Sequence, residues 1–477
     1  MLRIALALVN DEANDDHLSV IRVMAYENRI PEKDEFKEAF QPKLYHGTVA
    51  ALFRILRPES QRAETILAQL VSCLAGLFTL LIAYRFFTGE LVLSAKTRFQ
   101  SFGILALNPP LIGINAQATN DSFVILFASA AFHFGWRFFQ NYRRKDFWWM
   151  LGFAVLAALS KGTGLVVFFA IMSVFAIILW WTAINHRFPR STMAVYGTCF
   201  FVIYAVLVPN LGPYRAHYRK QGSAVAINKE PNPLPASAFG ETFLTFRIGE
   251  LLRNPILKIG PYSLPENQPS LWSELYARSQ FIRFDSWPPG WRLPNENLSQ
   301  VRQWVNSSSL YEGRLILLFA LLPVLLVLCG FMRTLICAAR TLVIPQRSKF
   351  ASVDWLVLFT TIGYILFIAA VRLRFENFGA MKAIYIYPGF LAFLTLFARE
   401  CDRFYRWCEN QTALRFTCDT IMNSLLFLYV LTIVTLLGQL TFRVYSRCSA
   451  STCNFESHLH AFLRLHHHRL FTINKYF

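Results

Sequence analysis

The chain has 477 residues, of which 55% are hydrophobic and 16% are charged, and it carries a formal net charge of +18. A soluble globular protein has about 25% charged residues, and a disordered chain is far less apolar, so the composition excludes disorder and argues against a single soluble domain. The positive charge invites a nucleic-acid-binding interpretation. The long apolar runs oppose it, and we expect no nucleic-acid partner.

Ten stretches of the chain contain no Asp, Glu, Lys or Arg: 65–84, 99–120, 122–136, 147–160, 162–186, 191–214, 315–332, 355–371, 383–398 and 421–442. A soluble helical core would give each helix a polar face, and 315–331 has none. The first nine residues are apolar, but nine residues rise only about 14 Å and cannot cross a bilayer. We therefore predict an all-α polytopic membrane protein with about ten transmembrane helices, a truncated first span, and outer-face loops that carry interfacial helices.

The basic residues indicate the orientation. With alternating helices, one set of loops holds 16 Lys and Arg residues: 88–99, 137–146, 184–192, 333–352 and 399–416. The short loops on the other side hold four, so the positive-inside rule makes the first set cytoplasmic. The segments 11–64 and 212–314 then face outward. We expect one transmembrane domain over 1–442 and a separate basic, His-rich tail over 443–477.

The first outer segment opens with an acidic cluster, NDEANDDH, at 10–17. It places Asp11, Asp15 and Asp16 within six positions, and a carboxylate among like charges makes a good general base. A solvated acidic loop or a helix N-cap explains the same residues equally well.

A second polar group lies in QPKLYH at 41–46, where Pro42 interrupts the chain before an apolar helix. Lys43 and His46 are three residues apart and share one face of that helix. A lysine at the membrane interface binds phosphate as a point charge. A lysine that snorkels its charged head to water is the plain alternative.

Three further polar positions lie on the outer side. Asp121 follows NPPLIGINAQATN and begins a helix, where it either serves the chemistry or complements the helix dipole. Lys161 stands alone in the short turn LSKGTG. Lys382 and Tyr385 open a helix that Pro388 should kink. Snorkelling is again the alternative for each lysine.

Taken in order, these motifs resemble the lipid-phosphate-dependent glycosyltransferases of the C superfold, with the protein O-mannosyltransferases and lipid A aminoarabinose transferases as relatives. The resemblance covers about residues 10–400 and rests on five motifs in family order: the acidic DDH loop, QPKLYH, NPPL…ATNDSF, LSKGTG and KAIYIYP. It implies an inverting hexosyltransferase whose donor is a sugar on undecaprenyl or dolichyl phosphate. The acceptor would be a glycan, a lipid or a protein, in a bacterial plasma membrane rather than the endoplasmic reticulum.

The resemblance also implies roles for single residues. The family's base maps to Asp15 or Asp16, with Asp11 behind them. Lys43 stands two positions beyond the family's phosphate-binding place, which Gln41 holds, and Asp121 matches a recurrent acidic position. The remaining members of the expected donor-phosphate site are His46, Lys161, Lys382 and Tyr385.

The donor is already activated, so no nucleotide is needed, and the sequence has no Walker or Rossmann glycine motif. No cofactor is required on this interpretation, although Asp and His positions are compatible with a divalent metal, whose ligands stay unknown. A transporter or lipid flippase is the alternative from another class. Transporters show internal repeats and mid-membrane polar sites, whereas the polar residues here gather on one face and no repeat is visible. A non-catalytic truncated relative is the third hypothesis.

Overall fold

The computed structural model describes residues 1–10, 16–185, 190–222, 232–253, 270–281, 311–343, 352–375 and 383–450. Within these ranges the regular secondary structure is helical, apart from one isolated bridge between Asn232 and Phe375. The predicted all-α class is therefore confirmed. Residues 451–477, which make up most of the expected His-rich tail, lie outside the described residues, and the last helix continues to Ala450.

Among the described residues, seven helices are long and apolar enough to cross a membrane: Gln61–Gly89, Asp121–Asn141, Gly162–Ile184, Thr192–Leu211, Tyr311–Leu342, Ser352–Arg374 and Thr412–Gly438. Helices satisfy every backbone hydrogen bond internally, which the hydrocarbon core demands. The chain is thus a multi-pass membrane protein, but the predicted count of ten spans is not confirmed.

The three remaining apolar stretches fall short for different reasons. The first is divided into Ala95–Leu107 and Pro109–Asn115, since Asn108 accepts a hydrogen bond from Leu111 N (3.0 Å) and two prolines follow it. The second forms a helix of only 17 residues, Arg144–Ser160. The third forms Phe390–Trp407, whose second half is charged. A run without charges thus does not by itself define a span.

In the part of the chain that the structure describes, seven shorter α-helices lie outside the long ones: Leu2–Val9, His17–Arg22, Leu44–Leu56, Tyr214–Gln221, Phe239–Leu244, Ile248–Arg253 and Leu271–Gln280. The helix Leu44–Leu56 is amphipathic. Its buried face presents Tyr45 and Phe53, while Ile55 and Leu56 are exposed. Such a helix suits the membrane interface that the sequence predicts for this segment.

The helix Asp121–Asn141 forms the centre of the bundle, between Gln61–Gly89 and Arg144–Ser160. Its Trp136 ring meets Phe86 edge-on at 5.3 Å between ring centroids, and both side chains are buried. Helix association in a membrane depends on close packing of this kind rather than on the hydrophobic effect. The central helix therefore carries Asp121, its first residue, at a fixed position.

One buried amide ties three distant segments of the bundle together. Asn108 donates to the carbonyl oxygen of Ser279 (2.8 Å) and accepts from the hydroxyl of Tyr387 (3.1 Å). The helix Leu271–Gln280 of the second outer loop is thereby docked on the bundle. Tyr387 and Pro388 lie in a 3-10 turn and the helix begins at Phe390, so the predicted kink at Pro388 is wrong. Proline is tolerated there because it precedes the helix.

Candidate donor site at the outer helix ends

The acidic cluster is described only from Asp16 onward, so Asp11 and Asp15 lie outside the described residues. Asp16 precedes the helix His17–Arg22 in a left-handed conformation (φ 57°) and accepts a hydrogen bond from the Ser19 hydroxyl. It makes no capping bond to a backbone N–H. The N-cap explanation of this carboxylate thus fits its place in the chain but not its contacts.

Two buried histidines link the acidic cluster to the second motif. Nδ1 of His17 lies 3.0 Å from Nε2 of His46, and the two rings sit 5.2 Å apart. The pKa of His46 is well below its usual value, because burial disfavours the charged ring and His17 and Lys43 repel it. His46 is therefore a neutral ring, with one nitrogen that donates a hydrogen bond and one that accepts. It is not a cation for a phosphate.

Lys43 lies immediately before the helix Leu44–Leu56, and its Nζ donates to the carbonyl oxygen of Ala39 at 2.5 Å. Burial lowers its pKa to about 8, although the carboxylate of Glu38 opposes this shift. The ammonium thus bonds to a carbonyl of its own segment and loses its proton as the pH rises through about 8. A lysine that snorkels into water would do neither.

Asp121 and Lys161 form a largely buried ion pair. Nζ of Lys161 lies 2.7 and 2.8 Å from the two carboxylate oxygens of Asp121, and Thr119 donates to the same carboxylate at 3.0 Å. The Tyr385 ring centroid is 6.0 Å from that Nζ. Burial disfavours the Lys161 ammonium, but the attraction of Asp121 outweighs it, so the pKa of Lys161 is raised. The Lys161 ammonium is therefore kept charged in a largely dry setting.

A chain of buried amides connects these two lysine sites. Asn120 donates from Nδ2 to the Ser160 carbonyl oxygen (3.1 Å) and to Oε1 of Gln41. Gln41 in turn donates from Nε2 to the carboxylate of Glu38. Sequence reasoning missed Glu38 and Asn120 as site residues. The one signal that could have found this chain is Gln41, which the resemblance in the sequence predicts at the family's phosphate-binding place.

The structure thus joins some of the predicted residues and leaves others apart. Lys161 is paired with Asp121 and lies 6.0 Å from the ring centroid of Tyr385, whereas Lys43 is connected to this pair through Glu38 and the amides. Lys382 lies outside the described residues. No group of three His, Cys, Asp or Glu side chains among the described residues could hold a metal ion, and the metal therefore stays a prediction without ligands.

The turn that carries Lys161 depends on Gly164. A Cβ added there would lie 2.2 Å from the carbonyl oxygen of Ala157, a backbone atom that cannot swing aside. We expect Gly164→Ala to lower the free energy of unfolding by about 1–3 kcal/mol, since the turn must open. Thermal unfolding in detergent measures the change. Gly152→Ala, where nothing lies within 4 Å, is the matched control. Equal stability of the two variants would contradict the argument.

Comparisons with known proteins bear on the middle of the chain. Residues 54–211 match the family model described as dolichyl-phosphate-mannose-protein mannosyltransferase. None of the curated proteins compared with this chain matches it. Two crystal structures of ArnT from Cupriavidus metallidurans are similar. One, bound to undecaprenyl phosphate, has 13% identity and a TM-score of 0.35, covering 84% of this chain and 75% of the other. The other, in the apo state, has 14% identity and a TM-score of 0.36, covering 83% and 75%.

The family match falls on two of the five motifs, NPPL…ATNDSF and LSKGTG, and so includes Asp121 and Lys161. The first outer loop and KAIYIYP lie beyond it. The resemblance predicted from the order of the motifs is therefore confirmed over residues 54–211, which are similar to the protein mannosyltransferase family of membrane glycosyltransferases.

Proposed function

We propose that this chain transfers a sugar, with inversion, from a polyprenyl-phosphate-linked donor to an acceptor hydroxyl at the outer face of the membrane. One observation carries the proposal: the ion pair Asp121–Lys161, from the family-matched segment, meets the Gln41–Lys43 segment and Tyr385 at the same helix ends. Ammonium groups at this depth can bind the phosphate of a lipid donor, whose scissile bond lies just outside the hydrocarbon core.

The chemistry requires a base and a cradle for the leaving group. In the proposed reaction Asp15 or Asp16 removes the proton of the acceptor hydroxyl, whose oxygen attacks the anomeric carbon from the face opposite the phosphate. The bond from that carbon to the phosphate oxygen breaks, and polyprenyl phosphate leaves with the bonding electrons. Its added negative charge is stabilised by the ammonium groups of Lys161 and Lys43. Asp121 occupies two N–H groups of Lys161, which leaves the third for phosphate.

The family description names dolichyl-phosphate-mannose as donor and a protein as acceptor, which supports a lipid-linked hexose here. We place undecaprenyl phosphate and a bacterial plasma membrane first, and dolichyl phosphate in the endoplasmic reticulum second. Neither choice alters the residues proposed to act, because the lipid tail lies in the bilayer.

The deciding experiment is sugar transfer by the purified full-length chain in proteoliposomes. Short polyprenyl phosphates carrying mannose, glucose or aminoarabinose serve as donors, and the released polyprenyl phosphate and the glycosylated acceptor are quantified together. We expect turnover with at least one donor and inverted configuration in the product. No turnover with any of them, combined with movement of the lipid-linked sugar across the bilayer, would contradict the proposal and favour the flippase.

The pKa of Lys43 predicts a pH dependence. Below about pH 8 its ammonium is charged and binds phosphate, and as the pH rises through that value the charge is lost. We therefore expect the KM for the donor to rise on the alkaline side, by up to about tenfold per pH unit, with a smaller change in kcat. In Lys43→Arg the guanidinium stays charged and this alkaline rise should vanish. An unchanged profile in Lys43→Arg would show that another group causes it.

A further inference from the structure

We propose that Glu38 is a positioning residue of the donor site: this buried carboxylate is hydrogen-bonded through Gln41 and Asn120 to the segment that carries Lys161, and it holds Lys161 and Lys43 in place. Its effect on a lipid-phosphate donor rests on the function proposed above. Its effect on the two lysines does not, because that effect can be measured in the protein without any substrate.

The hydrogen-bond geometry fixes Glu38 relative to the ion pair. A carboxylate only accepts, so Gln41 must turn Nε2 toward Glu38, and this leaves Oε1 of Gln41 for the amide of Asn120. Neither amide can flip without losing a bond, and all three side chains are buried to 9% exposure or less. The relay Glu38–Gln41–Asn120 is therefore directional as well as dry.

The far end of the relay bonds to residues that are next in the chain to both partners of the ion pair. Asn120 is the residue before Asp121, and its amide also donates to the carbonyl oxygen of Ser160, the residue before Lys161. The bonds join positions 79 and 40 residues apart in the chain. Movement of Glu38 would thus be transmitted to the turn that carries Lys161.

The electrostatics of the two lysines agree with this geometry. Glu38 raises the pKa of Lys43 against the effect of burial, and it also acts on Lys161 in addition to the stronger attraction of Asp121. Among the described residues, the neutral His46 lies beside Lys43, and Tyr385 acts on Lys161. Two ammonium groups therefore stand against two carboxylates. Without Glu38 the site would hold uncompensated positive charge, and Lys43 would release its proton.

Competitive labelling of lysine amines tests this without any substrate. The folded full-length chain in detergent is treated with trace acetic anhydride across pH 6–11, and acetylation of Lys43 and Lys161 is read by mass spectrometry, since only the neutral amine reacts. In Glu38→Gln we expect the midpoint of Lys43 to fall by roughly one pH unit, a tenfold change in reactivity below the midpoint. Lys161 should shift in the same direction. Glu38→Asp keeps the charge on a shorter arm and should show a smaller fall.

Glu35→Gln is the matched control, because Glu35 lies in the same segment but pairs with Arg29 at the surface. It should leave both midpoints unchanged. If Glu38→Gln does not fold, the fall in Glu38→Asp alone decides. A Lys43 midpoint that is the same as in the wild type in every folded Glu38 variant would overturn the proposal.

The relay and the donor are tested by two further readouts. Gln41→Met removes both amide bonds at nearly constant length and should raise the donor KM more than it lowers kcat, as a loss of positioning predicts. Combined with Asn120→Ala it should cost less than the sum of the two single changes, because both break one relay. Additive costs would contradict the relay. If the wild-type chain transfers no sugar, but Glu38→Gln still lowers the midpoint of Lys43, the proposed function is refuted and the role of Glu38 stands.

Discussion

Lys161→Met should lower the kcat of sugar transfer about 10²- to 10³-fold, because the leaving phosphate loses its best-placed cation. The ammonium is charged, only 15% exposed, and held by both carboxylate oxygens of Asp121. Removing it also leaves the buried carboxylate of Asp121 without a charged partner, with only the hydroxyl of Thr119 as a described hydrogen-bond donor. Breaking a buried pair costs roughly 3–5 kcal/mol of stability, and the residual exposure of Lys161 places this one at the low end.

Loss of activity and loss of stability can be separated. In the double variant Asp121→Asn with Lys161→Met, no charge is stranded, so we expect stability to recover while transfer stays absent. Lys161→Arg keeps the charge, but its planar fork does not fit a site built for an ammonium, so activity should recover only in part. Restored transfer in the double variant would show that Lys161 acts on the fold alone.

The second large effect concerns the acidic cluster. Asp15→Asn combined with Asp16→Asn should lower kcat about 10²- to 10⁴-fold, the range that a general base contributes. Stability should change little, since the half-buried carboxylate of Asp16 accepts a hydrogen bond from the hydroxyl of Ser19 and makes no bond to a backbone N–H. The measurement is transfer from a polyprenyl-phosphate sugar by the two single variants and the double one.

Ser19→Ala is the control for this experiment. It removes the hydroxyl that donates a hydrogen bond to Asp16 and leaves the carboxylate in place. A modest fall in kcat is therefore expected if Asp16 is the base. If the single variants show that only Asp15→Asn is inactive, the base is Asp15 and Asp16 is dispensable. Full activity in the double variant would remove the acidic cluster from the mechanism.

Apolar runs predicted the all-α membrane fold, because a hydrocarbon solvent leaves a chain few other structures. They overcounted the spans, since the absence of charge does not report where a helix ends. Asn108, followed by two prolines, divides one run, and the charges of Phe390–Trp407 appear only after the apolar part. Both effects depend on where the backbone stops being helical, which periodicity and charge do not encode.

The sequence predicted the charged residues of the site, but not the residues that are joined to them only by the fold. Asp121 and Lys161 stand out because a lone charge at a helix end is conspicuous, and the structure brings them together. Glu38 and Asn120 are not conspicuous in the sequence. Glu38 lies among other charges, and Asn120 is a small polar residue next to a more obvious one. Their role arises from hydrogen bonds across 79 and 40 residues, which only the folded bundle reveals.

The amide of Asn108 sets the order in which the outer side can be completed during synthesis. Tyr387, which donates to it, is made 279 residues later, and Ser279 is made 171 residues later. At about 5–20 residues per second, Tyr387 follows Asn108 by roughly 15–55 seconds. For that interval the side-chain oxygen of Asn108 has only its own helix end to bond. The helix Leu271–Gln280 can therefore dock on Asn108 through Ser279 first, and the hydroxyl of Tyr387 completes the junction only at a later stage of synthesis.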